Sequence, residues 1–214
     1  MTNNTGSAAS VYIVGAGGLG RETLDALFAL GRTVDELALV DDHPCAVEIH
    51  GVPVRRPEEV TRGGRYVVAV GDPAVRRALS QRLLDRGLLP TSVVHPRATL
   101  AHDVTVPNGC LILANAFVST NVRLGAHTQV HYNATVGHDS VLDEFVTVLP
   151  GANVAGAVVL HPDVTVGSNA CVLPGRIIGA RTFIGAGAVV TKHHPADRCL
   201  VGVPARHRVS YSRG

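Results

Sequence analysis

Aromatic residues are scarce in this chain: they make up 4% of its 214 residues, and tryptophan is absent. The hydrophobic fraction of 46% therefore rests on Val, Ile, Leu and Ala, which suit thin, regular layers better than a bulky globular core. Charged residues reach only 17%, and with that apolar content global disorder is excluded. No apolar run approaches the ~18 residues needed to span a bilayer. Cys45, Cys110, Cys171 and Cys199 lie far apart with no CxxC pair. That spacing argues against a zinc ribbon or a disulfide framework and fits a reducing cytoplasm, the expected location. A formal net charge of +2 is too small to select nucleic acid or an anionic membrane as partner. The opening MTNNTGSAAS has neither a basic stretch nor an apolar one, so it does not read as a signal peptide, and residues 1–9 are expected to be a disordered tail.

Two periods divide the rest. Over residues 10–93 the pattern is α/β. Val11 to Val14 is a short apolar run that ends in Gly15-Ala16-Gly17-Gly18-Leu19-Gly20, after which Leu24, Leu27 and Phe28 fall at helical spacing. Leu37 to Val40 reads as a second strand stopping at Asp41-Asp42. Tyr66 to Val70 reads as a third, followed by Gly71-Asp72-Pro73 and a helix whose apolar residues are Val75, Leu79, Leu83 and Leu84. Alternating strands and helices imply a parallel sheet with ligands at the carboxyl ends of the strands. The unit is too short for a second mononucleotide half, so it is a truncated, Rossmann-like relative of a dinucleotide domain.

From Val94 onward every sixth residue, through to Val190, is Val, Leu or Ile. The residue four further on is small or Val (Ala98, Cys110, Ala116, Ala134, Ser140, Ala152, Ala170), with Arg176 the exception. This is the repeat of a hexapeptide β-helix, in which three hexapeptides make one triangular coil and the large aliphatics stack inward. No residue is inserted or skipped, so no loop protrudes over residues 94–192. Leu113, Leu149, Val159 and Leu173 point outward from the prism. Its ends need caps: the α/β unit is placed to cover the first coil, and residues 193–214 the last.

With these motifs in view, the chain resembles bacterial sugar acetyltransferases, a group that includes sialic acid O-acetyltransferases and UDP-4-amino-sugar N-acetyltransferases. The resemblance is carried by GAGGLG, Val40-Asp41-Asp42, Ala69-Val70-Gly71-Asp72, the uninterrupted hexapeptides, Asn133 to Asp139, and Gly202-Val203-Pro204-Ala205. It implies a left-handed coil, a hand the right-handed crossover rule would not predict. It also implies a homotrimer with active sites between adjacent prisms, acetyl-CoA as co-substrate, and a sugar or nucleotide-linked sugar as acceptor.

Acetyl transfer from a thioester needs a base, an oxyanion donor and two substrates held in line. His138 is the candidate base, in the position where the resemblance places it, since imidazole titrates near ~6.5. Asp139 is the nearest carboxylate able to fix its tautomer; Asp143 and Glu144 compete for that role. By resemblance Thr147, Gly156, Ser168 and Ala186 line the acetyl-CoA groove, with the Gly156 N–H a donor to the thioester oxygen. Arg176 and Lys192 are either contacts to cofactor phosphates or solvated charges. Gly15, Gly17, Gly18 and Gly20 form a phosphate-type turn between strand and helix; Gly15, Gly17, Gly18 and Leu19, with Asp41, Asp42 and Gly71, make the expected acceptor site. Leu19 stands where some aminosugar enzymes carry His, and His131 where relatives often carry Asn. His127, His131, His138 and His161 offer no convincing ligand spacing for zinc, so no metal is expected. Two other readings stay open: the same fold acting on a non-sugar amine or hydroxyl, and a non-enzymatic trimer sensing a ligand.

Overall fold

The protein is described here by a computed structural model, which covers residues 10–208. The expected tail at 1–9 and the end of the 193–214 segment lie outside the described residues.

The α/β unit is built on β1 (Val11–Val14), β2 (Leu37–Val40), β3 (Glu48–Ile49), β4 (Val52–Arg55), β5 (Arg65–Val68) and β6 (Leu89–Pro90). The strand order is β3-β4-β2-β1-β5-β6, with only β3 antiparallel to its neighbour. β1 and β2 are buried at all four positions, the continuous apolar run of a parallel strand covered on both faces. Helix α1 (Gly18–Ala29) follows β1, and β1 pairs with β2 on one side and β5 on the other. The switch point of the sheet therefore opens at the glycine turn.

Helix α2 (Pro73–Asp85) starts with Pro73 in its first turn, and the Asp72 carboxylate caps it by accepting from the Val75 N–H at 3.0 Å. Its buried face differs from the expected one. Val75 and Leu84 are 47% and 41% exposed, whereas Arg76 and Ser80 are buried with Leu83. The reason is the surface beneath: α2 packs on polar groups of the β-helix, so the polar side of the helix turns inward.

The second unit is the parallel β-helix that the hexapeptide period predicts, of the left-handed type that the resemblance implies. Each strand pairs with the strand three hexapeptides later, as in Thr147↔Thr165 and Val148↔Val166, so one coil is three hexapeptides. Every sixth-residue aliphatic from Ile112 to Val190 is buried, each contributing about 1.5–3 kcal/mol by leaving water. The first face carries the strands at Val93–Val94, Leu111–Ile112, Gln129–Val130, Thr147–Val148, Thr165–Val166 and Phe183–Ile184. The second runs from Thr99–Leu100 to Val189–Val190, and the third from Arg123–Leu124 to Ile177–Ile178. Corners repeat a left-handed backbone residue, often Asn or Asp, as at Asn115, Asn121, Asn133, Asp139, Asp163 and Asn169; these types tolerate that conformation best after Gly.

The α/β unit lies along the side of the prism rather than over its first coil. Leu111, Leu113 and Val93 of the first face share one core with Leu24 and Leu27 of α1, so Leu113, which points out of the prism, is covered. The last coil is closed by Cys199–Val201, which pairs with Phe183–Ile184, while Leu200 and Ala205 fill the end of the prism core.

Candidate active site

The edge between the second and third faces carries His138 and Asp139. Both are exposed, at 63% and 51% of their side-chain surface, with His138 Nδ1 2.7 Å from Asp139 Oδ2. Asp139 is also a corner residue, with φ of 61°, so its backbone turn and its carboxylate serve the same place. Asn121, the equivalent corner residue one coil earlier, donates from Nδ2 to Asp139 Oδ1 at 2.6 Å. The Asn121 N–H in turn donates to Asp103 at 2.8 Å. The Asn121 hydrogen bond, then that of His138, holds the Asp139 carboxyl below its ordinary range. An ionised carboxylate only accepts, so in the neutral imidazole Nδ1 carries the proton and Nε2 the lone pair. That nitrogen faces Gly156 in the next coil, where a Cβ would lie 2.6 Å from it. Asp143 and Glu144 are engaged elsewhere: Asp143 Oδ2 lies 3.0 Å from His161 Nδ1, and Glu144 pairs with Arg77 at 2.9 Å.

The switch-point crevice holds the other expected residues together. Gly15 has φ of 106°, and a Cβ there would sit 2.9 Å from the Ala69 carbonyl oxygen, so only glycine lets the turn close on β5. Gly17 and Gly18 are exposed at the start of α1, whose first turn has no acidic residue or side-chain cap; its first N–H groups have no intrahelical partner. Asp41 is an organiser of this turn, accepting from the Ala16 and His43 N–H groups at 2.9 Å each. Asp42 is paired with both Nη atoms of Arg82 at 3.0 Å, which keeps its carboxyl ionised. Leu19, half-buried, packs against the core shared with Leu111 and Leu113.

The four expected groove residues take different places in one chain. Thr147 is fully buried between the units: its Oγ1 donates to the Gly71 carbonyl at 3.1 Å and accepts from Arg76 Nη2 at 2.9 Å. It therefore has no free surface to offer a cofactor, because the α/β unit covers the face on which it stands. Ser168 and Ala186 lie past the first-face strands, on the edge between first and second faces, whereas Gly156 shares the His138 edge. One chain does not bring them together. Arg176 donates to the nearby Pro174 carbonyl at 3.0 Å.

The residue that sequence reasoning missed is Arg76, which is 0% exposed. Its Nε donates to the His127 carbonyl at 3.0 Å, Nη1 to the Val70 and Gly71 carbonyls at 2.9 and 3.1 Å, and Nη2 to the Phe145 carbonyl at 2.7 Å. Nearby, Gln129 Nε2 donates to the Val68 carbonyl at 2.9 Å, and Ser80 Oγ lies 3.1 Å from His127 Nε2. Burial, reinforced by the Arg76 charge, pulls His127 and His131 down to about 4. The signal available was weak: an Arg among apolar helix positions reads as solvated until its partners are known. Among the described residues no group of three His, Cys, Asp or Glu side chains could hold a metal ion, and no helix is long and apolar enough to cross a membrane.

Comparison with known proteins agrees with this architecture. The model of the PglD N-terminal domain matches residues 10–83, and that of the bacterial transferase hexapeptide (six repeats) matches residues 157–192. GDP-perosamine N-acetyltransferase of Escherichia coli O157:H7 is 30% identical over 210 residues, covering 91% of this chain and 94% of that protein. A histidine-to-asparagine variant of perosamine N-acetyltransferase from Caulobacter crescentus, solved in complex with CoA and GDP-perosamine, is 28% identical. It superposes with a TM-score of 0.87, covering 95% of this chain and 99% of that one. The acetyltransferase domain of PglB from Neisseria gonorrhoeae is also 28% identical, with a TM-score of 0.88 over 92% and 98% of the two chains. Fold and site define a hexapeptide-repeat acyltransferase. The chain belongs to the sugar acetyltransferase family that includes GDP-perosamine N-acetyltransferase.

Proposed function

We propose that this enzyme transfers the acetyl group of acetyl-CoA to an amino group of a nucleotide-linked sugar, directly in a ternary complex, with His138 as general base. The observation that carries this reading is the exposed His138–Asp139 pair at 2.7 Å, with Nε2 turned toward Gly156. Residues 10–93 hold the acceptor, with the pyrophosphate over Gly15, Gly17 and Gly18 and the sugar passing Gly71. Residues 94–192 hold the acyl donor, and the segment that begins at 193 closes the prism. The matches to enzymes named for perosamine N-acetylation support nitrogen over oxygen as the acylated atom.

Acetyl-CoA, when bound, supplies a thioester carbonyl activated toward attack. The glycine at 156 fits a narrow ligand there, because any side chain would collide with the imidazole. His138 Nε2 takes a proton from the acceptor amine as its nitrogen bonds to the carbonyl carbon, and Asp139 stabilises the imidazolium. The Gly156 N–H is assigned to the developing oxyanion. As the C–S bond breaks, His138 returns the proton to the departing sulfur, leaving the amide and free CoA.

The assembly is assigned as a homotrimer. The crevice lies against the first face, while His138 stands on the opposite edge, between second and third faces. A neighbouring prism turned about a threefold axis would set its His138 edge beside this crevice and beside Ser168 and Ala186.

The test is release of CoA from acetyl-CoA, with wild type and His138→Ala, against GDP- and UDP-linked aminosugars, free aminosugars and sialic acids. The expected result is acceptor-dependent release that falls ~100- to 10,000-fold in the variant with the trimer intact. Activity retained within about threefold would overturn the base assignment; a folded wild type silent on every acceptor would overturn the sugar assignment.

A further inference from the structure

Apolar contact between α1 and the first face already holds the two units together, but such contact is non-directional and does not specify height along the prism. Arg76 does. Its fork reaches the Val70 and Gly71 carbonyls, at the end of the β5 segment that forms one wall of the crevice. It also reaches the corner carbonyls of His127 and Phe145, which bracket the coil that presents His138. The carbonyls of His127 and Phe145 come from left-handed corner residues with φ of 58° and 57°. Arg77, the next residue of α2, lies over the Phe145 ring at 4.0 Å and pairs with Asp163 at 2.9 Å.

We propose that Arg76 is a positioning residue for acetyl transfer: it sets the acceptor crevice at the height of the coil that carries His138. The inference rests on the reaction and trimer proposed above. Rotation about an axis parallel to the prisms leaves height unchanged, so registering the crevice against its own coil registers it against the neighbour's His138. A guanidinium suits this task because its planar fork meets several acceptors at fixed angles, which an ammonium or an apolar side chain cannot do. Buried charge is a poor general adhesive, and its presence where apolar contact already exists points to registry.

The experiment compares wild type, Arg76→Met, Arg76→Lys and Thr147→Val. Calorimetry gives the Kd for acetyl-CoA and for whichever acceptor of the panel turns over fastest, and thiol release gives kcat. Arg76→Met should keep both Kd values within about threefold, since Arg76 is buried between the units and reaches neither ligand, while kcat falls about 100-fold from misalignment. Arg76→Lys should recover part of that loss. Thr147→Val, which removes one partner of Arg76 and one bond to Gly71, should lower kcat about three- to tenfold, and it decides the matter if Arg76→Met does not fold. Unchanged kcat in the folded variants overturns the inference, as does a loss confined to acceptor Kd, which would make Arg76 a support of crevice shape. A wild type silent across the panel sinks the sugar reading and this inference with it; an active wild type beside an equally active Arg76→Met sinks this inference alone.

Discussion

The Nε2 edge of His138 lies against Gly156 of the next coil so closely that a β-carbon at Gly156 would sit 2.6 Å from that nitrogen. The glycine is thus matched to the imidazole, and its smallness has a chemical reason beyond the tight corner.

Gly156→Ala is therefore expected to swing the exposed imidazole away and break its bond to Asp139. kcat should fall by about 100-fold, the scale set for a displaced general base, while the prism core, which Gly156 does not enter, keeps its melting temperature. Steady-state kinetics with a thermal melt checks both; a near-wild-type kcat would place the reacting groups elsewhere on the edge.

Asp139→Asn separates charge from turn. Asn tolerates the left-handed corner at φ of 61°, so the fold should persist. The imidazolium loses its counter-charge, and a carboxamide cannot accept as well from both His138 and Asn121. A decrease of roughly 10- to 100-fold in kcat is expected, with the KM for acetyl-CoA little changed. If instead kcat holds and only stability drops, Asp139 is a corner residue alone.

Val166→Asp tests the inward register. Val166 is fully buried in the prism, and an unpaired carboxylate there has no partner, a cost of several kcal/mol even after its pKa shifts. The variant should be insoluble or melt far below wild type. An unaltered melting curve would contradict the register.

Acid should loosen the junction between the units before it reaches most carboxylates. His127 and His131 are pulled down to about 4, whereas in the unfolded chain they titrate near ~6.5. Between those values the unfolded state binds protons that the folded state refuses, so stability falls as pH drops through this window. Melting temperature measured from pH 7 to 5 should decline, and His131→Asn should flatten the slope. A profile already flat in the wild type would mean the histidines accept protons in the folded state.

Much of the β-helix was legible because its rule is local. A six-residue period names the inward residues from Ile112 to Val190 one by one, and each is buried. The pairing of His138 with Asp139 was legible for the same reason, since the partners are adjacent in the chain. The glycine turn was also readable, as its conformational demand falls on Gly15 itself. Asp41 was located, but its binding of the Ala16 N–H group depends on how β1 and β2 lie side by side.

The sequence by itself therefore determined the prism, its register, the order of the two units and the adjacency of His138 and Asp139, all set by neighbours or by a repeat. Only the tertiary structure decided which face the α/β unit covers, and several assignments turned on that. It buried Thr147, exposed Val75, and took Arg76 out of water. It also separated Ser168 and Ala186 from Gly156 by placing them on different edges. The physical reason is that these residues take their roles from surfaces distant in the chain: Arg76 meets Phe145 across 69 positions, and no local period encodes that meeting.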